Sequence, residues 1–185
     1  MKTIILKHHK IYCRFDIQKR HINHKGEFVI TAGLSNNGVL GQSDIKAKVF
    51  ESHTITIDMF GCTFYRSFPY KMVTHARVFS LKPKFEINHK IGLFLSTLFF
   101  DYPKKFGYEN MCSWVKIKND KVILPLKPTA KTQTLDGIDF HFMRTLINAL
   151  MKQTIQGVAE YCGTKIQATK EAISQETPVQ KDSLF

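Results

Sequence analysis

Four cysteines and several histidines are the residues of this chain that could hold a metal ion or act as nucleophiles. The cysteines lie about fifty residues apart, with no C-x-x-C pair and no histidine at zinc-finger spacing: Cys13, Cys62, Cys112 and Cys162. They fit either a scattered zinc or disulfide arrangement or four reduced, mostly buried thiols, and the spacing favours the thiols. The histidines have no supporting carboxylate or cysteine cluster, so we expect solvated side chains and no metal at His8-His9 or His21…His24.

The motifs that nucleases and methyltransferases require are missing. A magnesium-dependent nuclease commonly has an aspartate followed by Glu-x-Lys, and neither Glu51-Ser52-His53 nor Glu86-Ile87-Asn88 supplies that lysine. A methyltransferase needs a glycine-rich cofactor loop and an Asn-Pro-Pro-Tyr-like tetrad, which Ser67-Phe68-Pro69-Tyr70 only approaches. No Cys–His pair stands out as a nucleophilic dyad. We therefore expect a protein without catalytic activity.

The charge of the chain is unevenly distributed. Residues 1–135 hold 22 Lys and Arg against 9 Asp and Glu, whereas residues 136–185 hold 5 against 6. A basic body of net charge +13 favours a polyanion such as nucleic acid as its partner. The longest apolar run, 91–100, is too short to span a membrane, and Lys7-His8-His9-Lys10 interrupts the apolar start of a signal peptide. We expect a cytoplasmic protein.

The first 135 residues are predicted to form one α+β domain with a twisted β-sheet and a few helices. Apolar alternation and β-branched residues predict strands at 28–31, 54–60, 62–66, 72–81 and 122–126. Asn37-Gly38 is typical of a tight turn. A buried helix is predicted at roughly 88–100, where apolar residues cover most of the circumference. Pro103 ends it, and Lys104 to Tyr108 are expected to form a loop.

A long helix is predicted over 138–173, followed by a disordered tail at 174–185. Asp139 is a suitable N-cap residue, and no proline follows until Pro178. Apolar or small residues recur at steps of three or four, closer to an eleven-residue repeat than to heptads: Ile147, Met151, Ile155, Val158, Cys162, Ile166, Thr169 and Ile173. Because an amphipathic helix is stabilised mainly by packing, this stripe requires another helix, from a second copy or from a partner chain.

Two stretches carry motifs in a recognisable order. The first stretch comprises Ile30-Thr31-Ala32-Gly33, Asn36-Asn37-Gly38 and Thr54-Ile55-Thr56-Ile57, followed by Gly61. The second stretch comprises Phe106-Gly107-Tyr108, Ile123-Leu124-Pro125-Leu126 and Ile138-Asp139-Phe140, followed by Met143. Together they cover about residues 14–150 and resemble the specificity (S) subunits of Type I restriction–modification systems and related Type IIB and IIG recognition subunits. Residues 1–13 do not resemble the family. Because a full S subunit has two target-recognition domains and two spacer helices, the resemblance implies a half-subunit.

The resemblance implies sequence-specific recognition of double-stranded DNA. Lys and Arg would contact phosphates, and polar side chains would read base edges in the major groove. The candidate DNA-binding residues are Asn36, Asn37, Gln42, Lys46, Lys48, Tyr65, Arg66, Ser67, Lys71, Lys104, Lys105 and Tyr108. Each lysine fits a solvated surface as well, the two asparagines fit pure turn residues, and Tyr65 fits the core.

The resemblance also implies partners for the long helix. It would form a coiled coil with a second copy, which sets the half-site separation, and would bind methyltransferase (M) and possibly restriction (R) subunits. S-adenosylmethionine, ATP and Mg²⁺ would belong to those subunits, and this chain would bind no cofactor. Two alternatives remain open: an S-like protein that masks an associated anticodon nuclease without reading DNA, and RNA binding by the basic body.

Overall fold

A computed structural model of the chain describes residues 6–9, 17–131 and 134–175. The expectations for Cys13 and for the tail beyond Gln175 lie outside these residues. The chain divides into two compact units, and the boundary falls between Ile147 and Asn148. In the part of the chain that is described, no helix is both long and apolar enough to cross a membrane.

The described strands of the first unit form two sheets. One has the order β1-β7-β4-β5, with every neighbouring pair antiparallel, and the other has the order β3-β2-β6, in which β2 and β6 are parallel. Their bounds are β1 Leu6–His9, β2 Glu27–Ile30, β3 Val39–Ser43, β4 Thr54–Ile57, β5 Thr63–Arg66, β6 Tyr70–Met72 and β7 Phe79–Pro83. The prediction of an α+β fold is confirmed, with two sheets where a single one was expected.

Each sheet buries its own apolar cluster. The first cluster joins β4 and β7 to the helices and includes Ile55, Leu81, Leu95 and Met143. The second lies against the three-stranded sheet and includes Ile17, Val29, Ile30, Tyr70 and Val73. Burying a side chain of this size stabilises the fold by about 1.5–3 kcal/mol. The two clusters together hold in place the loops that connect the sheets.

Helices begin where polar side chains cap them. Asn88 Oδ1 accepts a hydrogen bond from Ile91 N at 3.0 Å at the start of α1 (His89–Thr97). Two short helices follow, α2 (Tyr102–Lys105) and α3 (Trp114–Ile117). At the start of α4 (Phe140–Gln175), Asp139 Oδ1 accepts from Phe142 N at 2.8 Å. The capping role predicted for Asp139 is therefore confirmed, and the helix bounds are shifted two residues along the chain.

Three local predictions are wrong. Residues 72–81 form two strands rather than one, because β6 ends at Met72, residues 74–77 turn, and β7 begins at Phe79 in the other sheet. Residues 122–126 contribute only the bridge between Leu126 and Ile138. Pro103 lies in the first turn of α2, where a missing N–H is tolerated, so Lys104 is helical rather than in a loop.

Candidate nucleic-acid interface

Loops from both sheets meet at one end of the first unit, which we call the loop end. It consists of the Asn36 turn (Ser35–Gly38), the β4–β5 tip (58–62), the β6–β7 turn (74–77) and the Tyr108 loop (107–113). Val73 N donates a hydrogen bond to Ile30 O at 2.9 Å, which holds the exit of β6 beside the exit of β2. Cys112 N donates to Met59 O at 2.8 Å, which holds the Tyr108 loop against the tip.

The Asn36 turn presents two exposed asparagines in an unusual backbone conformation. Asn36 and Asn37 have φ of 47° and 52°, in the left-handed region that asparagine tolerates better than most residues. Asn36 Nδ2 donates to Val39 O at 3.1 Å and thereby closes the turn. The side-chain amide of Asn37 has no hydrogen bond within the described residues. Asn36 therefore has a turn role in the folded chain, whereas the Asn37 amide is open to a ligand.

Asp58 fixes the Asn36 turn to the β4–β5 tip and was not among the residues selected from the sequence. Its carboxylate is buried and accepts three backbone N–H groups, Phe60 at 2.9 Å and Cys62 at 2.8 Å through Oδ1 and Gly33 at 2.6 Å through Oδ2. Hydrogen bonds to a carboxylate are among the stronger ones in proteins. The sequence signal was an aspartate directly after a strand and three residues before Gly61, a pattern typical of an Asx turn.

Exposed basic residues at the loop end include Lys104, Lys105, Arg77 and Lys116. Lys116 Nζ donates to Asn110 Oδ1 at 2.6 Å and to Met111 O at 2.8 Å in the Tyr108 loop. Both lysines of α2 are exposed, and α2 adjoins the tip because Gly61, with φ +81°, brings its backbone against that of Tyr102. Arg77 is exposed at φ 47° and lines a cavity together with Tyr108. Nothing in the sequence singled out Arg77, because its segment was read as a strand.

Tyr108 is exposed and its ring packs edge-on against Phe60, with centroids 5.0 Å apart. Tyr65, in contrast, is half-buried. Its hydroxyl lies 2.6 Å from His53 Nδ1, and its ring packs on His89 at 5.6 Å. Of the two tyrosines, Tyr108 is thus the one whose surface is open to a ligand at the loop end.

Two cationic candidates are buried, which corrects their predicted role as surface contacts to DNA. The Lys71 ammonium donates to Ser43 O at 2.9 Å and Ile45 O at 2.7 Å, and it pairs with Glu27 at 2.8 Å. The hydrogen bond between Lys71 and Glu27 holds the pKa of the Glu27 carboxyl below its usual value. Arg66 is 2% exposed, and its Nε donates to Thr56 Oγ1 at 2.9 Å. Neither side chain can reach a phosphate on an outer surface.

The remaining candidates lie away from the loop end. Lys46 and Lys48 are exposed in the segment before Phe50, which pairs with Tyr70 at the opposite end of β6. Ser67 is exposed after β5. Gln42 is half-buried and donates to Gly26 O at 3.2 Å. The structure thus brings Asn36, Asn37, Lys104, Lys105 and Tyr108 to one end and separates them from the rest.

The described cysteines are free thiols. Burial raises the pKa of Cys62 to about 11 and that of Cys112 to about 12, which keeps both protonated. Cys162 is exposed on α4. Within the described residues, no group of three or more His, Cys, Asp or Glu side chains could hold a metal ion.

The second unit consists, as far as it is described, of the continuation of α4. Every residue from 148 to 174 is exposed, including the predicted stripe residues Met151, Ile155, Val158, Cys162, Ile166, Thr169 and Ile173. The first stripe residue, Ile147, is 7% exposed within the first unit. From Met151 to Thr169 the stripe is exposed in the part of the chain that the structure describes.

A basic α+β body with converging polar loops, followed by a long helix, defines a nucleic-acid-binding domain. The family model that matches the chain is described as the Type I restriction modification DNA specificity domain, and it covers residues 10–160. The chain therefore belongs to this family, whose domain is a non-catalytic module of DNA sequence recognition in restriction–modification. No curated protein sequence matches the chain.

Proposed function

We propose that the loop end reads a specific sequence of double-stranded DNA as the recognition half of a restriction–modification specificity subunit. The observation that carries this proposal is the convergence of four loops on one end, which presents the exposed side chain of Asn37 and also carries exposed basic side chains. A carboxamide can bond bidentately to the N6 and N7 atoms of adenine in the major groove. Lys104, Lys105 and Arg77 are suited to phosphate contacts that set the register of the domain on the duplex.

Selection from a pool of randomised duplexes, followed by sequencing of the bound fraction, tests this function. We expect one enriched half-site or a palindrome of two. Salt-sensitive binding without any sequence preference would exclude direct readout by the domain.

Asn37→Gly tests the residue assignment, because glycine accepts the left-handed backbone while the whole side chain, with its amide, is removed. A lost bidentate contact weakens discrimination at one base position by about 1–3 kcal/mol, or roughly 5- to 150-fold. Asn119→Gly, at an exposed turn position outside the four loops of the loop end, is the control for removal of an asparagine side chain. Equal discrimination by both variants would remove Asn37 from the site.

We propose further that the exposed stripe of α4 pairs with the same stripe of a second copy and offers a platform to methyltransferase subunits. The uncovered apolar side chains support this, since a helix of this kind gains its stability from packing. Light scattering before and after Ile155→Asp measures the pairing, with Gln156→Asp, one position off the stripe, as the control. We expect a dimer that only Ile155→Asp dissociates. A wild-type monomer would exclude the homodimer.

A further inference from the structure

A groove beside the Asn36 turn has a guanidinium at its floor. About 480 Å³ in volume, it lies in the usual range of small-molecule sites, about 300–1,000 Å³. Its walls are mostly apolar and aromatic, and its rim carries two amides: Phe28, Phe64, Phe68, Leu93, Asn36 and Asn37. Arg66 lines the groove although only 2% of its surface is exposed. The groove is therefore an apolar slot with a charged floor.

The Arg66 guanidinium is only partly satisfied by the protein. Its Nε donates to Thr56 Oγ1, and its Cζ lies 5.1 Å from the centre of the Phe64 ring. Within the described residues, neither of its terminal nitrogens donates a hydrogen bond and no carboxylate pairs with it. Burial lowers the pKa of Arg66 to about 10, which reflects the cost of removing its charge from water. An acceptor that entered the groove would offset that cost.

The backbone around the groove leaves room for this side chain. Gly38 has φ +69°, and a Cβ at this position would lie 3.4 Å from Arg66 Nη2 and 2.9 Å from Thr31 O. Thr31 N also donates to Gly38 O at 2.8 Å, which closes the turn over the guanidinium. The Nη2 end of the guanidinium thus lies beside the Asn36 turn, at the wall of the groove.

We propose that this groove binds a guanine base that has left the base stack. A guanidinium bonds bidentately to the adjacent O6 and N7 acceptors of guanine, and aromatic walls can stack on the faces of a planar base. A phosphate ion fits less well, because apolar walls would strip its hydration without replacing it. Since the Arg66 side chain is buried, the base must come to the groove. Proteins that act on DNA bases can extrude a base from the duplex in this way.

This inference rests on the proposed recognition of DNA by the loop end, but it can be tested without a duplex. Deoxyguanosine is titrated into the ¹⁵N-labelled full chain, and the Arg66 Nε–H and Gly38 amide signals are followed by NMR. We expect both signals to shift and to saturate with a Kd in the millimolar range, about 4 kcal/mol of binding free energy at 1 mM. 7-Deaza-deoxyguanosine lacks the N7 acceptor and should bind at least about fivefold more weakly. Deoxyadenosine should also bind more weakly, because it presents an amino donor in place of O6.

Arg66→Lys should abolish the Gly38 shift, whereas Arg20→Lys, at an exposed arginine outside the groove, should not. The nucleoside series uses the wild-type chain, so the proposal stays testable if Arg66→Lys does not fold. The proposal would be overturned if inorganic phosphate shifted the Arg66 Nε–H signal and deoxyguanosine did not. It would also be overturned if 7-deaza-deoxyguanosine bound as tightly as deoxyguanosine. If the duplex selection yields an enriched motif but deoxyguanosine does not bind, only the guanine site in the groove is refuted. If deoxyguanosine binds but the selection yields no motif, only sequence readout by the loop end is refuted.

Discussion

Asp58→Asn is the perturbation that best isolates how the loop end is assembled. An asparagine at this position keeps one oxygen for Phe60 N and Cys62 N, but its amide nitrogen then faces the N–H of Gly33, which the carboxylate accepts at 2.6 Å. A hydrogen bond to a charged group contributes about 1.5–3 kcal/mol, and a buried N–H without an acceptor costs about 1–3 kcal/mol. We expect the free energy of unfolding to fall by about 2–4 kcal/mol.

The matched control is Asp44→Asn. Asp44 is exposed and accepts only from Asn23 Nδ2 among its described contacts. Both substitutions raise the net charge by one, so their effects on non-specific attraction to DNA are equal. Urea unfolding followed by the fluorescence of Trp114, the single tryptophan, measures the stability of both variants.

The same pair of variants tests the link from Asp58 to DNA. Without the hydrogen bond from Gly33 N to Asp58, the Asn36 turn must be ordered when DNA binds. Ordering costs free energy, and each 1.4 kcal/mol of that free energy weakens the affinity for DNA about tenfold. We expect Asp58→Asn to bind the selected duplex at least about tenfold more weakly than Asp44→Asn. Equal affinity of the two variants, with stabilities that agree within about 0.5 kcal/mol, would refute the anchoring role.

Two further predictions concern the helix and the thiols. Asp139→Ala should lower the free energy of unfolding by about 1 kcal/mol because it removes the N-cap of α4, and calorimetry would show it; an unchanged stability would mean that packing alone fixes the helix start. In a Cys13→Ser background at pH 8, a thiol reagent should label Cys162 rapidly but Cys62 and Cys112 only after unfolding, since both are buried with raised pKa values. Mass spectrometry counts the labels, and rapid labelling of three thiols in the native chain would contradict the burial.

Features set by neighbours in the sequence were predicted well. Asp139 was predicted as the N-cap of α4, and the helix bounds to within two residues, because capping and helical period are local properties. The strands near 28–31, 54–60 and 62–66 were found because alternation marks a half-buried strand. The segment at 72–81 failed because it passes from one sheet to the other. Val73, Ala76 and Val78 are buried in the cluster of the three-stranded sheet. Phe79 and Leu81 are buried in the other cluster, so one period of two does not describe the whole segment.

The candidate site was predicted less well because its assembly depends on distant contacts. Lys71 reads as a surface lysine until β2 and the end of β3 supply Glu27 and Ser43 O as its partners. Asp58 acquires its role from Gly33, which lies 25 residues earlier. No local pattern encodes such pairings. The charge and the Asn-Asn-Gly turn indicated that the partner is DNA. Which of the cationic side chains are exposed and which are buried could be read only from the folded chain.

The central claim, sequence-specific recognition of duplex DNA, is tested most directly by the specificity ratio. The affinity of the chain for the selected duplex is compared with that for a scrambled duplex of the same length and composition, at low and at physiological salt. Specific binding by proteins exceeds non-specific binding by about 10³-fold or more. We predict a ratio of that order at physiological salt, even though both affinities fall as salt rises. A ratio near one at both salt concentrations would contradict the claim.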